Sequence, residues 1–138
     1  GINFDQYDNI PVELSGANSD AAAPLELFSS LGDVLPEFLN RNICLMGYSK
    51  PTPIQRHAIP LALSGQDLMC CAQTGSGKTC AFLLPVVAAL AHNSAPQDAS
   101  GGQGSAAPQA VILAPTRELA CQIHLEARKL CHHSGLRA

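Results

Sequence analysis

Ala72-Gln73-Thr74-Gly75-Ser76-Gly77-Lys78-Thr79 lies between two apolar runs, residues 67–71 before it and 79–90 after it. A short apolar run, a Gly-rich turn and a long apolar run predict strand, loop and helix, the setting in which this pattern binds phosphate. Gly75 and Gly77 admit backbone conformations that a Cβ forbids, so successive N–H groups can converge on phosphate oxygens. The helix that starts at the loop turns its unpaired amides and positive dipole end toward the same anion. Lys78 supplies a point charge for the β and γ phosphates, and Thr79 a hydroxyl for Mg²⁺. The general pattern opens with Gly; here it opens with Ala72.

The surrounding chain has 138 residues, a length that suits one domain. It is 46% hydrophobic and 14% charged, which suits a globular core. A net charge of −3 gives no electrostatic sign of nucleic-acid binding, so such a partner has to be argued from particular residues. The longest apolar stretch, residues 82–91, contains Pro85 and is too short to span a bilayer, so no membrane association is expected. The opening residues lack a basic start and an apolar block, so no leader is expected.

None of the six cysteines forms a Cys-x-x-Cys pair, and buried, reduced thiols are expected. Cys121, His124, Cys131 and His132 fall on one helical face. Cys121 and Cys131 would nevertheless stand about 15 Å apart along the axis at 1.5 Å per residue. One helix cannot bring four ligands to about 2.0–2.3 Å from a single zinc, so no metal site is expected there.

Outward from the loop, residues 36–43 are predicted helical, with Val34, Leu35, Phe38, Leu39 and Ile43 as the apolar face. Pro51 and Pro53 hold the next segment extended. A second helix is predicted from Ile54 to Leu63, with Pro60 inside it and Gly65-Gln66 as its stop. Residues 93–109, rich in Gly, Ser, Ala, Pro and Gln, read as a flexible surface insertion. Residues 110–114 form a continuously apolar run, as in a strand covered on both faces. A helix from Arg117 to His132 follows. Strand–helix–strand–helix predicts an α/β fold with a parallel sheet, flanking helices and right-handed crossovers.

Two further stretches carry chemistry. Gly47-Tyr48-Ser49-Lys50-Pro51-Thr52-Pro53-Ile54-Gln55 ends 17 residues before Ala72. Its prolines make it stiff enough to hold Tyr48 and Gln55 near the loop. A Gln amide can donate to adenine N7 and accept from its 6-amino group, which favours adenine over guanine. An aromatic ring supplies a stacking surface. Pro115-Thr116-Arg117-Glu118-Leu119-Ala120 lies at the carboxyl end of the second predicted strand, the edge where open α/β sheets bind ligands. Thr116 suits an N-cap and Glu118 a first helical turn, and Arg117 adds a cation able to meet a phosphate.

In this order, the three stretches resemble the DEAD-box RNA helicases. GYSKPTPIQ is similar to the family's adenine-recognising Q motif, AQTGSGKT to its motif I with the usual leading Ala, and PTRELA to its motif Ia. The opening GINFDQYDNIPVEL resembles the flank of the Vasa-type subgroup, which implies a cytoplasmic, perinuclear or nuclear mRNA helicase. The resemblance implies that Tyr48 stacks on adenine, Gln55 reads its edge and Lys50 contributes mainly backbone. Gln73, Thr74, Gly75, Ser76, Gly77, Lys78 and Thr79 would hold ATP and Mg²⁺, with Lys78 and Thr79 catalytic. Pro115, Thr116, Arg117 and Glu118 would meet RNA through its backbone. An upstream aromatic supports the Q motif in this family; Phe28 and Phe38 are the candidates.

The implied architecture is a RecA-like P-loop domain that this chain covers in part. Residues 1–24 would be a flexible flank, 25–56 the Q-motif region, and 57–138 the truncated start of the ATP-binding domain. Neither Asp-Glu-Ala-Asp nor Ser-Ala-Thr occurs, so hydrolysis by these residues alone is not expected. In RecA-like sheets later strands separate those of motifs I and Ia, so both are expected to keep unpaired edges and exposed apolar faces here. Two other readings stand beside the helicase: a non-hydrolysing ATP- or RNA-binding module, and an unrelated P-loop ATPase with chance matches.

Overall fold

The computed structural model describes residues 10–93 and 108–138. Most of the insertion expected over residues 93–109, and the first nine residues of the flank, lie outside the described residues. Among the described residues four helices carry the fold: α1 (Glu37–Leu45), α2 (Pro53–Leu63), α3 (Lys78–Asn93) and α4 (Arg117–Leu130), preceded by a 3-10 turn at Phe28–Leu31. α2 packs on α3, α3 on α4, and α1 on α4 and the 3-10 turn.

Capping residues set several helix ends, although α1 runs on to Leu45 and α4 stops at Leu130, two residues short of the expected His132. α1 and α2 both close in a Schellman motif. Gly47 (φ +74°) lets the Tyr48 N–H donate to Ile43 O at 3.1 Å and its own N–H to Cys44 O at 3.0 Å. Gly65 (φ +83°) does the same for α2, with Gln66 N–H on Leu61 O and its own N–H on Ala62 O. The first of these turns aims Tyr48. α4 is capped by Thr116, whose hydroxyl accepts from the Leu119 N–H at 3.2 Å, as its sequence position predicts.

Pro60 does not break α2. A proline has no N–H to give the carbonyl four residues earlier. That carbonyl, on Arg56, instead accepts the Leu25 N–H at 2.8 Å, which fastens the N-terminal flank across the helix. An exposed ion pair of Glu26 with Arg56 at 2.7 Å adds to the same contact.

Leu39, Ile59, Leu83, Leu84 and Leu130 form the fully buried centre. The apolar face expected for α1 is buried at Leu35, Leu39 and Ile43, and Phe38 packs partly against the core. Val34 is the exception and is half exposed. Both it and Leu35 precede the helix, in the turn closed on Leu31 O, and of the two only Leu35 turns into the core.

The predicted sheet is not formed by the described residues, none of which is in a strand. Residues 67–72 and 110–114 carry no helix or strand, and apart from Ala114, which packs partly against the core, their apolar side chains face solvent: Met69 is 93% exposed and Leu113 89%. A continuously apolar run needs ladder partners and cover on both faces to become a central strand. The same exposure corrects the thiols. Only Cys80 is buried, whereas Cys44, Cys70, Cys71 and Cys121 are exposed and Cys131 is intermediate; all six are free. Hydrogen exchange on the 138-residue chain is expected to leave amides 67–72 and 110–114 nearly unprotected while those of α3 exchange slowly. Strong protection across both segments would contradict these positions.

Candidate nucleotide-binding site

Residues 72–77 turn from the exposed segment into α3. The Ser76 N–H donates to Gln73 O at 3.3 Å. Gly75 (φ +81°) and Gly77 (φ +88°) both occupy the left-handed region, as the loop pattern requires. Lys78 sits at the mouth of the turn, its Nζ donating to Gln73 O at 2.7 Å and to Ala72 O. Thr79 follows in the first turn of α3. Ser76 is buried, and its Oγ has no protein partner.

The Gly47–Gln55 segment grips this loop from behind. Thr52 is the N-cap of α2 and Gln55 its N3 residue, joined as a capping box. The Gln55 Oε1 accepts the Thr52 N–H at 3.0 Å, and the Gln55 Nε2 donates to Gly77 O at 3.1 Å. Thr52 Oγ1 donates to Ser76 O at 2.7 Å. The partners fix the amide's orientation, because a backbone N–H can only donate and a carbonyl can only accept. Gln55 is 4% exposed and Thr52 is buried as well. A Cβ at Gly77 would lie 2.5 Å from Gln55 Nε2 and 3.1 Å from Thr52 Oγ1. The glycine therefore provides both the turn and the close approach of the clamp.

The resemblance implies that Gln55 reads an adenine edge. The structure adds a second task, holding the loop, which the sequence did not reveal. Thr52 was missed altogether. Its one sequence signal was the Thr-x-x-Gln spacing before a helix.

Phe28 and Tyr48 stack, with ring centroids 5.8 Å apart and planes 24° from parallel. The Phe28 N–H donates to Ser49 O at 3.1 Å, so backbone and ring both fasten the flank to this segment. Between the two candidate aromatics, Phe28 is the one that supports Tyr48. Burial, with smaller contributions from Cys80 and Glu126, pushes the Tyr48 hydroxyl up to about 12, so it stays neutral at physiological pH. Burial, with a smaller contribution from Glu126, pushes Cys80 to about 12, which makes it an inert packing thiol. Phe28→Ala is expected to cost about 3 kcal/mol of stability, as for other buried aromatics, measured by denaturant unfolding. A loss below about 1 kcal/mol would show that the flank does not hold Tyr48.

Pro115, Thr116, Arg117 and Glu118 are all exposed at the start of α4. Lys50 is exposed beside the prolines. A groove of about 700 Å³ runs between α1 and α4, lined by Tyr48, Leu45, Leu125 and Glu126 among others. No residue of the 72–79 loop lines it. The 72–79 loop is therefore a surface turn rather than part of this cavity.

The family model for DEAD/DEAH box helicases matches residues 52–138, and the chain belongs to that family. It is 49% identical over all 138 residues to the probable ATP-dependent RNA helicase DDX4 of Homo sapiens and to that of Sus scrofa. It spans 18% of the length of each of these relatives. Its fold is similar to the RNA helicase Prp28 of Chaetomium thermophilum bound to ADP, with a TM-score of 0.68 and 43% identity. That match covers 83% of this chain and 26% of the other. A DEAD box protein from Methanococcus jannaschii matches with a TM-score of 0.67 and 32% identity, covering 83% and 28% of the two chains.

Proposed function

We propose that these residues form the front of an ATP-dependent RNA helicase, carrying adenine recognition, phosphate binding and one RNA-backbone contact. The observation that supports this most is the clamp of Thr52 and Gln55 on Ser76 and Gly77, which joins the base-reading segment and the phosphate loop into one site. One N–H and one lone pair of the Gln55 amide remain for a bidentate contact with adenine. Tyr48, braced by Phe28, offers the stacking ring.

The loop suits a phosphate and Mg²⁺ on its own chemistry. Two left-handed glycines bare the backbone N–H groups, and the buried Ser76 Oγ lacks a partner. Gln73 to Gly77 would supply backbone donors, Lys78 charge, and Thr79 a hydroxyl toward the metal. When bound, Mg²⁺ neutralises charge on the β and γ oxygens. Lys78 would leave the Ala72 and Gln73 carbonyls to meet the phosphates.

Thr116, as N-cap, turns the positive end of α4 outward, and Arg117 stands beside it. Pro115 and Glu118 complete this exposed edge, which fits a phosphodiester backbone with little base reading. The parallel sheet, residues 67–72 and 110–114 included, would form around strands supplied by later sequence. Residues 1–24 would be the flank, 25–56 the Q-motif region and 57–138 the start of the ATP-binding domain. A cytoplasmic, perinuclear or nuclear location goes with this reading.

The test is nucleotide choice by the full-length protein with RNA present. ATP is expected to be turned over well ahead of GTP. Gln55→Ala is expected to narrow the gap by about 5- to 150-fold, the 1–3 kcal/mol of one bidentate base contact. Equal turnover of ATP and GTP by the unaltered protein would sink the adenine assignment.

A further inference from the structure

Asn42 is a buried polar residue outside the nucleotide loop, 3% exposed on α1. Its Nδ2 donates to Leu130 O at 2.9 Å and to His132 O at 2.8 Å. The first carbonyl ends α4, where the last turn leaves acceptors without helical partners, and the second lies two residues beyond it. The N–H groups there are spent elsewhere: Cys131 on Ala127 O and His132 on Lys129 O. One amide group thus caps a helix about 90 residues away in sequence.

The two helices it joins carry the two ends of the site. One residue after Asn42, Ile43 O accepts the N–H of Tyr48 through the Gly47 turn. At the opposite end of α4, Thr116 caps and Arg117 begins the helix. Fourteen residues at 1.5 Å each separate the ends of α4 by about 20 Å. Along it, Glu126 and Tyr48 line the same groove. A displacement of α4 at its N-terminus would reach the turn that aims Tyr48 through the bonds of Asn42.

We propose that Asn42 is a positioning residue that couples nucleotide binding to RNA binding, by pinning the C-terminal end of α4 to the helix that sets Tyr48. This rests on the roles given above to Tyr48, Thr116 and Arg117. Coupling of this kind is a free energy shared by the two ligands, so it is the same whichever is added first.

The experiment measures the affinity of the full-length protein for a non-hydrolysable ATP analogue, with and without a short oligouridine. The ratio of the two dissociation constants is the coupling factor. Asn42→Ala is expected to shrink that factor at least about 5-fold, with the affinity lacking RNA within about 2-fold of the unaltered protein. Measuring oligouridine affinity with and without the analogue must return the same factor. If Asn42→Ala does not fold, Asn42→Ser, which keeps one donor, is measured in its place and is expected to lose at least half of the coupling free energy. An unchanged factor in the folded variant overturns the proposal, as does a proportional loss of both affinities. Absence of any RNA effect on the unaltered protein would overturn the site reading itself and the proposal with it.

Discussion

Lys78→Ala is expected to lower RNA-stimulated ATP hydrolysis by the full-length protein at least about 100- to 1,000-fold, the scale of losing one preorganised group that meets developing charge. Lys78 is the cation of the loop, and its Nζ already lies among the loop carbonyls Ala72 O and Gln73 O. Moving from those acceptors to a phosphate requires only a side-chain rotation, because the α3 N-terminus fixes its Cα. Alanine keeps the helix and removes the charge, so the fold should persist. Steady-state ATPase assays with saturating RNA, together with a melting temperature within a few degrees of the unaltered protein, would check both statements. Retention of a tenth or more of the activity would show that the loop does not hold the transferred phosphate.

The second large effect is expected from Gly77→Ala, and it reports on the clamp. Alanine at φ +88° costs about 1–2 kcal/mol in the left-handed region. The new Cβ would also stand 2.5 Å from Gln55 Nε2. Gln55 would have to withdraw from Gly77 O, and leaving a buried donor and acceptor unpaired costs about 1–3 kcal/mol. The strain falls on stability; the clamp's share, at 1.4 kcal/mol per tenfold, should lower nucleotide affinity by about 5- to 150-fold. Gly65→Ala is the matched control. It has a similar φ of +83° but nothing within 4 Å of the added Cβ, and it lies at the end of α2 away from the loop. It should cost stability and leave nucleotide affinity within about 2-fold. Equal losses of affinity in the two variants would mean that backbone strain alone, and not the clamp, sets the loop.

Much of this arrangement was legible from local pattern. The four helices follow the apolar periodicity and the turn residues, and Gly47, Gly65 and Thr116 stop or start them where their chemistry demands. The backbone turn of the 72–79 loop was readable because its glycines leave a contiguous signature, and Gly75 and Gly77 do take the left-handed region. The bonds from Thr52 and Gln55 were not readable, since a side chain meeting a carbonyl 22 to 24 residues away has no periodicity. Asn42 was invisible for the same reason, at a separation of 88 to 90 residues. Residues 67–72 and 110–114 read as strands because apolar runs report what a segment can bury. They do not report whether its ladder partners are present; the family resemblance implied that these were missing, and the exposed Met69, Val111 and Leu113 agree with that.

The most direct test of the clamp as part of the nucleotide site is a titration of Mg²⁺-ADP into full-length Thr52→Val, followed by calorimetry. Valine keeps the branched shape but removes the hydroxyl that donates to Ser76 O at 2.7 Å. The expected result is a dissociation constant about 5- to 10-fold weaker, the scale of the net 1 kcal/mol or so of one buried hydrogen bond, alongside a lowered melting temperature because Thr52 also caps α2. An unchanged dissociation constant would contradict the assignment of Thr52 and Gln55 to the same working site as the phosphate loop.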